Sequence, residues 1–97
     1  MATILLVEDD QDLRFSVATT LRREGHDTLE AGSVREGLKV YQQQHADLII
    51  TDLRMPGDDG LVLIKAVREE GFTGGLLVMT SDDSVATAVE AMKLGAD

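Results

Sequence analysis

Acidic and hydroxyl side chains lie at or just past the ends of three short apolar runs, at residues 4–7, 48–50 and 76–79. The side chains with chemical potential there are those of Glu8, Asp9, Asp10, Asp52 and Thr80. Carboxylates held close together repel one another, and one of them takes up a proton unless a cation intervenes. Mg²⁺ suits such a group because it binds one or two carboxylates and leaves room for phosphate oxygens. A carboxylate can attack phosphorus, which makes Asp52 a candidate nucleophile and Thr80 a hydroxyl donor to a phosphoryl oxygen.

The apolar runs predict the strands that must position these side chains. A run without polar alternation is typical of a strand buried on both faces of a parallel sheet, and residues 27–31 predict an additional edge strand. Four amphipathic stretches predict helices between and after the strands. Their apolar stripes and end signals are Leu13, Val17 and Leu21, followed by Gly25; Val34, Leu38 and Tyr41, in a helix opened by the capping box of Ser33 and Glu36; Leu63, Ile64 and Val67, followed by Gly71; and Val85, Ala88, Val89 and Met92.

Strands that alternate with helices predict an α/β fold with a mostly parallel sheet and helices on both faces. The pattern leaves both a Rossmann-like and a flavodoxin-like strand order open. In either order, ligands bind beyond the carboxyl ends of the strands, where the strand order reverses. In the order 2-1-3-4 the first and third strands are neighbours, which predicts that Asp9 and Asp52 lie side by side.

Residues 5–10, 51–60 and 78–81 resemble the matching motifs of response-regulator receiver domains in two-component signalling, and the likeness spans the whole chain. The resemblance implies a flavodoxin-like, doubly wound parallel sheet in the order 2-1-3-4-5. It also implies that Asp52 is the phosphoacceptor, Asp9 a direct Mg²⁺ ligand and Glu8 an acid that acts through water. The backbone carbonyl of Arg54 would complete the metal ligands, and Thr80 would be the switch hydroxyl.

The activity that the resemblance implies is self-catalysed phosphorylation and dephosphorylation of Asp52, with the phosphohistidine of a sensor histidine kinase as donor. The phosphorylated domain would switch an output domain or partner protein through its fourth helix. Residues 84–97 are similar to that helix in the nitrogen-regulation class of transcription activators, which implies an output in transcription regulation.

We interpret residues 1–97 as one receiver domain, because a chain of this length holds a single core. Receivers continue with a fifth strand, which carries a lysine that contacts the phosphoryl group, and with a fifth helix. We therefore expect a receiver shortened at its C-terminal end. Without these elements we expect weakened stability, impaired phosphorylation and a tendency to associate, including as a homodimer.

The composition excludes several other classes of site. The absence of cysteine excludes disulfides, zinc thiolate centres and thiol nucleophiles. The net charge of −9 disfavours direct contact with nucleic acid. The longest apolar run near the start is too short for a signal peptide or a membrane span, which predicts a cytoplasmic protein without membrane contact.

Two alternative functions stand beside the receiver, and the first of them shares its fold. A module that is never phosphorylated would act through protein contacts only. A hydrolase or flavoprotein is disfavoured because Arg54 stands where aspartate-based phosphatases need a second acid, and because the acids of residues 8–10 would repel a flavin phosphate.

Overall fold

The computed structural model describes residues 2–53 and 60–79, in which strands and helices alternate. Their bounds are β1 (Thr3–Val7), α1 (Gln11–Arg23), β2 (Asp27–Ala31), α2 (Val34–Gln43), β3 (Leu48–Asp52), α3 (Gly60–Glu69) and β4 (Gly75–Met79). The predicted strands and the first three predicted helices are thereby confirmed. The predicted fourth helix, Arg54 and Thr80 lie outside the described residues.

The four strands form one parallel sheet in the order β2-β1-β3-β4. Strand β1 is central, because it pairs with β2 on one side and with β3 on the other. This order confirms the flavodoxin-like arrangement. The register sets Val7 opposite Thr51, so that the carboxyl ends of β1 and β3 reach the same edge of the sheet together.

The main core lies between the sheet and the helices α2 and α3. Large apolar side chains of β1 and β3, including Leu5 and Ile49, are fully buried there against Leu63 and Ile64 of α3. Side chains alternate between the two faces of a strand. Helix α1 lies against the opposite face, where it contributes the buried Ala18. Helices thus lie on both faces of the sheet, although Leu77 of β4 stays 46% exposed.

Local signals in the sequence explain where the helices begin and end. The side chain of Asp10 accepts a hydrogen bond from the Leu13 N–H at 3.1 Å, and the Ser33 hydroxyl accepts one from the Glu36 N–H at the same distance. Both residues act as N-caps, which satisfy backbone donors that have no partner inside the helix. Gly25 follows α1 with a φ of 91°, a left-handed conformation that glycine adopts without steric cost.

The apolar stripe of α1 is only partly covered. Val17 and Leu21 are half-buried, whereas Leu13 remains 42% exposed. Phe15 lies off this stripe and is 66% exposed, in agreement with its position in the helical pattern. No helix in the described part of the chain has the length and apolar character of a membrane span.

Candidate functional site

Three carboxyl groups converge at the carboxyl ends of β1 and β3. Glu8, Asp9 and Asp52 each offer one oxygen atom, and these three atoms lie within 4.8 Å of one another. The convergence follows from the strand order, because adjacent parallel strands end at the same edge and the first residues past β1 therefore meet the last residue of β3. The structure brings together three of the residues that the sequence singled out. Their roles as metal ligands and phosphoacceptor stay predictions.

Glu8 is the most deeply buried of the three, with only 1% of its surface exposed. Its N–H continues the sheet ladder by donating to the Ala31 carbonyl at 3.0 Å, and its Oε2 accepts from the Asp10 N–H at 3.0 Å. Its Oε1 is buried and accepts no hydrogen bond from the described residues. A buried carboxylate oxygen without a donor is costly, so this atom is suited to a cation or to a water bound to one.

Burial raises the pKa of Glu8 from its usual 4.5 to about 7. The hydrogen bond from the Asp10 N–H acts in the opposite direction, and the nearby carboxyl groups of Asp9 and Asp52 add to the increase. Near neutral pH, a proton on Glu8 therefore relieves part of the repulsion in the cluster. A divalent cation would do the same while all three groups remain ionised.

The donor set fits Mg²⁺. All three side chains supply hard oxygen ligands, which Mg²⁺ prefers, and Asp9 is exposed while Asp52 is half-buried. The site is therefore open to solvent, and a bound Mg²⁺ would keep several of its water ligands there. The described residues at this edge match the ion's chemistry without forming a closed protein cage.

Asp52 is supported from behind by closely packed backbone. The Thr51 hydroxyl donates to the Asp52 carbonyl at 2.9 Å, and the Gly60 N–H donates to the Leu53 carbonyl at 2.9 Å. A Cβ atom on Gly60 would overlap the Asp52 carbonyl oxygen. The first residue of α3 must therefore be glycine for the helix to approach β3 this closely. The sequence motif contained Gly60, but no local pattern indicated this approach.

Arg14 is a residue at this edge that the sequence analysis missed. Its Nη1 donates to the Glu8 carbonyl oxygen at 2.8 Å, and its Nε lies 3.4 Å from Oε1 of Glu30. An arginine in the first turn of a helix is ordinary in sequence. Its contact with Glu8 depends on how α1 packs on the sheet.

Two surface clefts lie at the opposite edge of the sheet, away from the acidic cluster. One is lined by residues that include Tyr41 and Phe72, and the other by residues that include His26 and Arg22. Neither contains a member of the acidic cluster. We place the chemistry at the carboxyl ends of the strands, because open α/β sheets bind their ligands there.

Comparison with known proteins gives one consistent result. Residues 4–97 match the family profile described as "Response regulator receiver domain". The chain is 39% identical over 95 residues to the response regulator protein FleR of Pseudomonas aeruginosa, covering 98% of the chain and 20% of FleR. It is 33% identical over 97 residues to the transcriptional regulatory protein AfsQ1 of Streptomyces coelicolor, covering 100% of the chain and 43% of AfsQ1. The chain thus spans less than half the length of these curated relatives.

Solved structures show the same similarity. The chemotaxis protein CheY4 of Vibrio cholerae superposes with a TM-score of 0.94 at 33% identity, covering 99% of this chain and 82% of CheY4. The response regulator protein TrrA of Thermotoga maritima, solved in complex with Mg²⁺ and BeF, superposes with a TM-score of 0.89 at 27% identity, covering 100% of this chain and 83% of TrrA. Sequence and structure therefore agree on one family.

Proposed function

Because the chain belongs to the response regulator receiver family of two-component systems, we propose that Asp52 accepts a phosphoryl group from the phosphohistidine of a sensor histidine kinase. The reaction would depend on Mg²⁺ held by Glu8, Asp9 and Asp52. The observation that carries the proposal is the convergence of these three carboxyl groups within 4.8 Å at the carboxyl ends of two adjacent strands. The buried Oε1 of Glu8, to which no described residue donates a hydrogen bond, supports it.

The proposed reaction is a transfer from nitrogen to oxygen. A carboxylate oxygen of Asp52 attacks phosphorus, a P–O bond forms as the P–N bond to the donor imidazole breaks, and the imidazole leaves with the electron pair. Bound Mg²⁺ would offset the charge on the phosphoryl oxygens and on the acids around them. The short contacts of Thr51 and Gly60 with the backbone at Asp52 and Leu53 would hold the Asp52 carboxylate at the carboxyl edge of the sheet, where the phosphohistidine would bind.

The remaining roles are proposed from the family motif. The Arg54 carbonyl would bind Mg²⁺, and the Thr80 hydroxyl would bind a phosphoryl oxygen and report phosphorylation to the fourth helix. We propose that residues 1–97 act as one receiver domain in the cytoplasm that controls an output domain or partner protein, with the kinase as its upstream partner and the homodimer as one associated form. AfsQ1, which carries the name of a transcriptional regulator, supports an output in transcription.

Mass spectrometry after incubation with acetyl phosphate and Mg²⁺ tests the proposal. The protein is tested as residues 1–97 and in a form extended past Asp97, because a lysine on the fifth strand contributes to the reaction in this family. We expect one phosphoryl adduct, which is lost in Asp52→Asn and in excess chelator. Asp12→Asn is the matched control, because Asp12 is an exposed acid in the first turn of α1 outside the cluster.

An adduct that persists in Asp52→Asn would place the phosphoryl group elsewhere and overturn the assignment of Asp52. An extended form that stays unmodified with Mg²⁺ would instead favour a module that acts through protein contacts only.

A further inference from the structure

We propose that Arg14 is a positioning residue for the acidic site. Its guanidinium joins the backbone carbonyl of Glu8 to the side chain of Glu30, and it thereby holds Glu8 in the orientation that binds the cation. This inference rests on the proposed function, because it assigns the support of the Mg²⁺ site to a residue outside the three carboxyl groups.

The guanidinium of Arg14 makes one hydrogen bond and one ion pair at the ends of neighbouring strands. Its Nη1 donates to the Glu8 carbonyl at 2.8 Å, just past β1, while its Nε lies 3.4 Å from Oε1 of Glu30 in β2. Only 20% of the Arg14 side chain is exposed. A planar guanidinium fixes the angle between its donors, and shielding from water strengthens both contacts. Arg14 therefore ties α1 to the ends of two strands at once.

The bond from Arg14 completes the anchoring of Glu8. The Glu8 N–H is held by the Ala31 carbonyl, and Oε2 is held by the Asp10 N–H. Arg14 holds the carbonyl oxygen of Glu8. Among the described residues, no group donates a hydrogen bond to the remaining polar atom, the buried Oε1. The anchored peptide fixes the direction from which the side chain leaves the backbone, and so directs Oε1 toward the shared site.

The turn after β2 leaves room for this guanidinium. A Cβ atom on Gly32 would lie 2.9 Å from Nη1 of Arg14, closer than an ordinary van der Waals contact. The φ of Gly32 is not positive, so the backbone conformation itself does not require glycine there. The absence of a side chain at position 32 therefore matters chiefly for the space that Arg14 fills.

Arg22 provides a matched control on the same helix. It lies 3.0 Å from the other oxygen of Glu30 and donates to the Thr28 carbonyl at 2.9 Å. Arg22 thus pairs with the same acid from α1, but its hydrogen bond holds the carbonyl of Thr28 and not that of Glu8. Loss of Arg22 removes an arginine, a contact with Glu30 and a bond to a β2 carbonyl, and leaves the anchor on Glu8 intact.

Two measurements on the full chain test the inference. The first is the Mg²⁺ dissociation constant by calorimetry, and the second is amide hydrogen exchange of Asp10 in metal-free protein, because the Asp10 N–H donates to Glu8. Residues that orient metal ligands typically contribute at least tenfold to metal affinity, so we expect Arg14→Met to weaken Mg²⁺ binding about tenfold. We also expect faster exchange at Asp10.

Three further variants separate positioning from charge and from general stability. Gly32→Ala keeps the charge of Arg14 but displaces its guanidinium, and should change both readouts in the same direction by a smaller factor. Arg14→Lys should restore part of the Mg²⁺ affinity lost in Arg14→Met. Arg22→Met should leave the dissociation constant and the Asp10 exchange rate at their wild-type values.

Equal effects of Arg14→Met and Arg22→Met on the Mg²⁺ dissociation constant and the Asp10 exchange rate would overturn the inference. It would also be overturned if Arg14→Met changed only the stability against urea and left both of these readouts unchanged. A wild-type protein that binds no Mg²⁺ would refute the proposed function. The exchange rates in metal-free protein would in that case still decide whether Arg14 holds Glu8.

Discussion

At the scale of single residues, Glu8 combines two properties that rarely occur together. It is almost completely buried, yet one of its carboxyl oxygens has no hydrogen-bond donor among the described residues. Burial raises its pKa to about 7, so the metal-free protein takes up a proton there near neutral pH. Acidic residues after a strand are visible in a sequence. Which of them is buried depends on the packing around the strand end.

The first prediction concerns the stability of metal-free protein against pH. The pKa of Glu8 is higher in the folded chain than its usual 4.5, so its protonated form favours folding. The stabilisation of the fold by protonated Glu8 is fully present below about pH 4.5 and is lost as the pH rises through about 7. In urea unfolding with chelator, we expect the unfolding free energy of wild type to fall by on the order of 2 kcal/mol relative to that of Glu8→Gln as the pH rises over this range. Parallel pH profiles for the two proteins would contradict the burial effect.

The second prediction concerns Gly60. A methyl group there would overlap the Asp52 carbonyl, so Gly60→Ala must displace either the start of α3 or the end of β3. We expect a loss of about 1 to 3 kcal/mol in unfolding free energy and weaker Mg²⁺ binding. Gly25→Ala is the control, because its φ of 91° predicts a cost of about 1 kcal/mol from backbone strain alone. Gly25→Ala should leave Mg²⁺ affinity unchanged, and an equal loss of affinity in both variants would refute the argument.

At the scale of elements, the site depends on which strands are neighbours. Glu8 and Asp52 are far apart in the sequence, and they meet because β1 pairs with β3 in parallel register. The helix caps act more locally. Asp10 caps α1 directly beside the acidic cluster, while Ser33 caps α2 after β2. The two caps therefore stabilise their helices in the same way at different distances from the chemistry.

The third prediction separates helix stability from the site. Ser33→Ala removes a hydroxyl that accepts from the Glu36 N–H at 3.1 Å, and should lower the unfolding free energy by about 1 kcal/mol. Mg²⁺ affinity should stay at the wild-type value. Ser16→Ala, at an exposed position inside α1, should change stability by less than about 0.5 kcal/mol. A Ser33→Ala protein as stable as wild type in urea would show that the cap contributes nothing.

At the scale of the whole molecule, the acidic cluster is part of a chain with a net charge of −9. Ionised carboxyl groups that share one site repel one another, and the surrounding negative charge adds to the cost of keeping them ionised. A ligand that binds only the folded chain stabilises it by mass action. The proposed Mg²⁺ site should therefore be measurable as global stability.

The fourth prediction is that Mg²⁺ at a hundred times its dissociation constant raises the unfolding free energy by about 2.7 kcal/mol. Chelator should reverse the gain. Asp9→Asn should abolish it, because Asp9 belongs to the cluster, whereas Asp12→Asn should retain it. Urea unfolding with and without Mg²⁺ measures the difference. A gain of equal size in Asp9→Asn would mean that the ion binds outside the cluster.

The sequence by itself determined the elements of the described chain and the kinds of side chain at their ends. Apolar runs predicted the strands, helical stripes predicted the helices, and Ser33 and Gly25 predicted where particular helices begin or end. These signals are readable because they depend on residues only a few positions apart. The motifs around Glu8 and Asp52 also identified the family, since their residue types and spacing can be compared directly.

Only the tertiary structure decided how the site is supported. The strand order, which the apolar pattern left open and which only the family resemblance implied, is set by the pairing of β1 with β3. The buried Oε1 of Glu8, the bond from Arg14 to the Glu8 carbonyl and the approach of Gly60 to Asp52 all join elements that pack together in the fold. Local patterns cannot predict such contacts, because each depends on the distance and angle at which two separate elements meet.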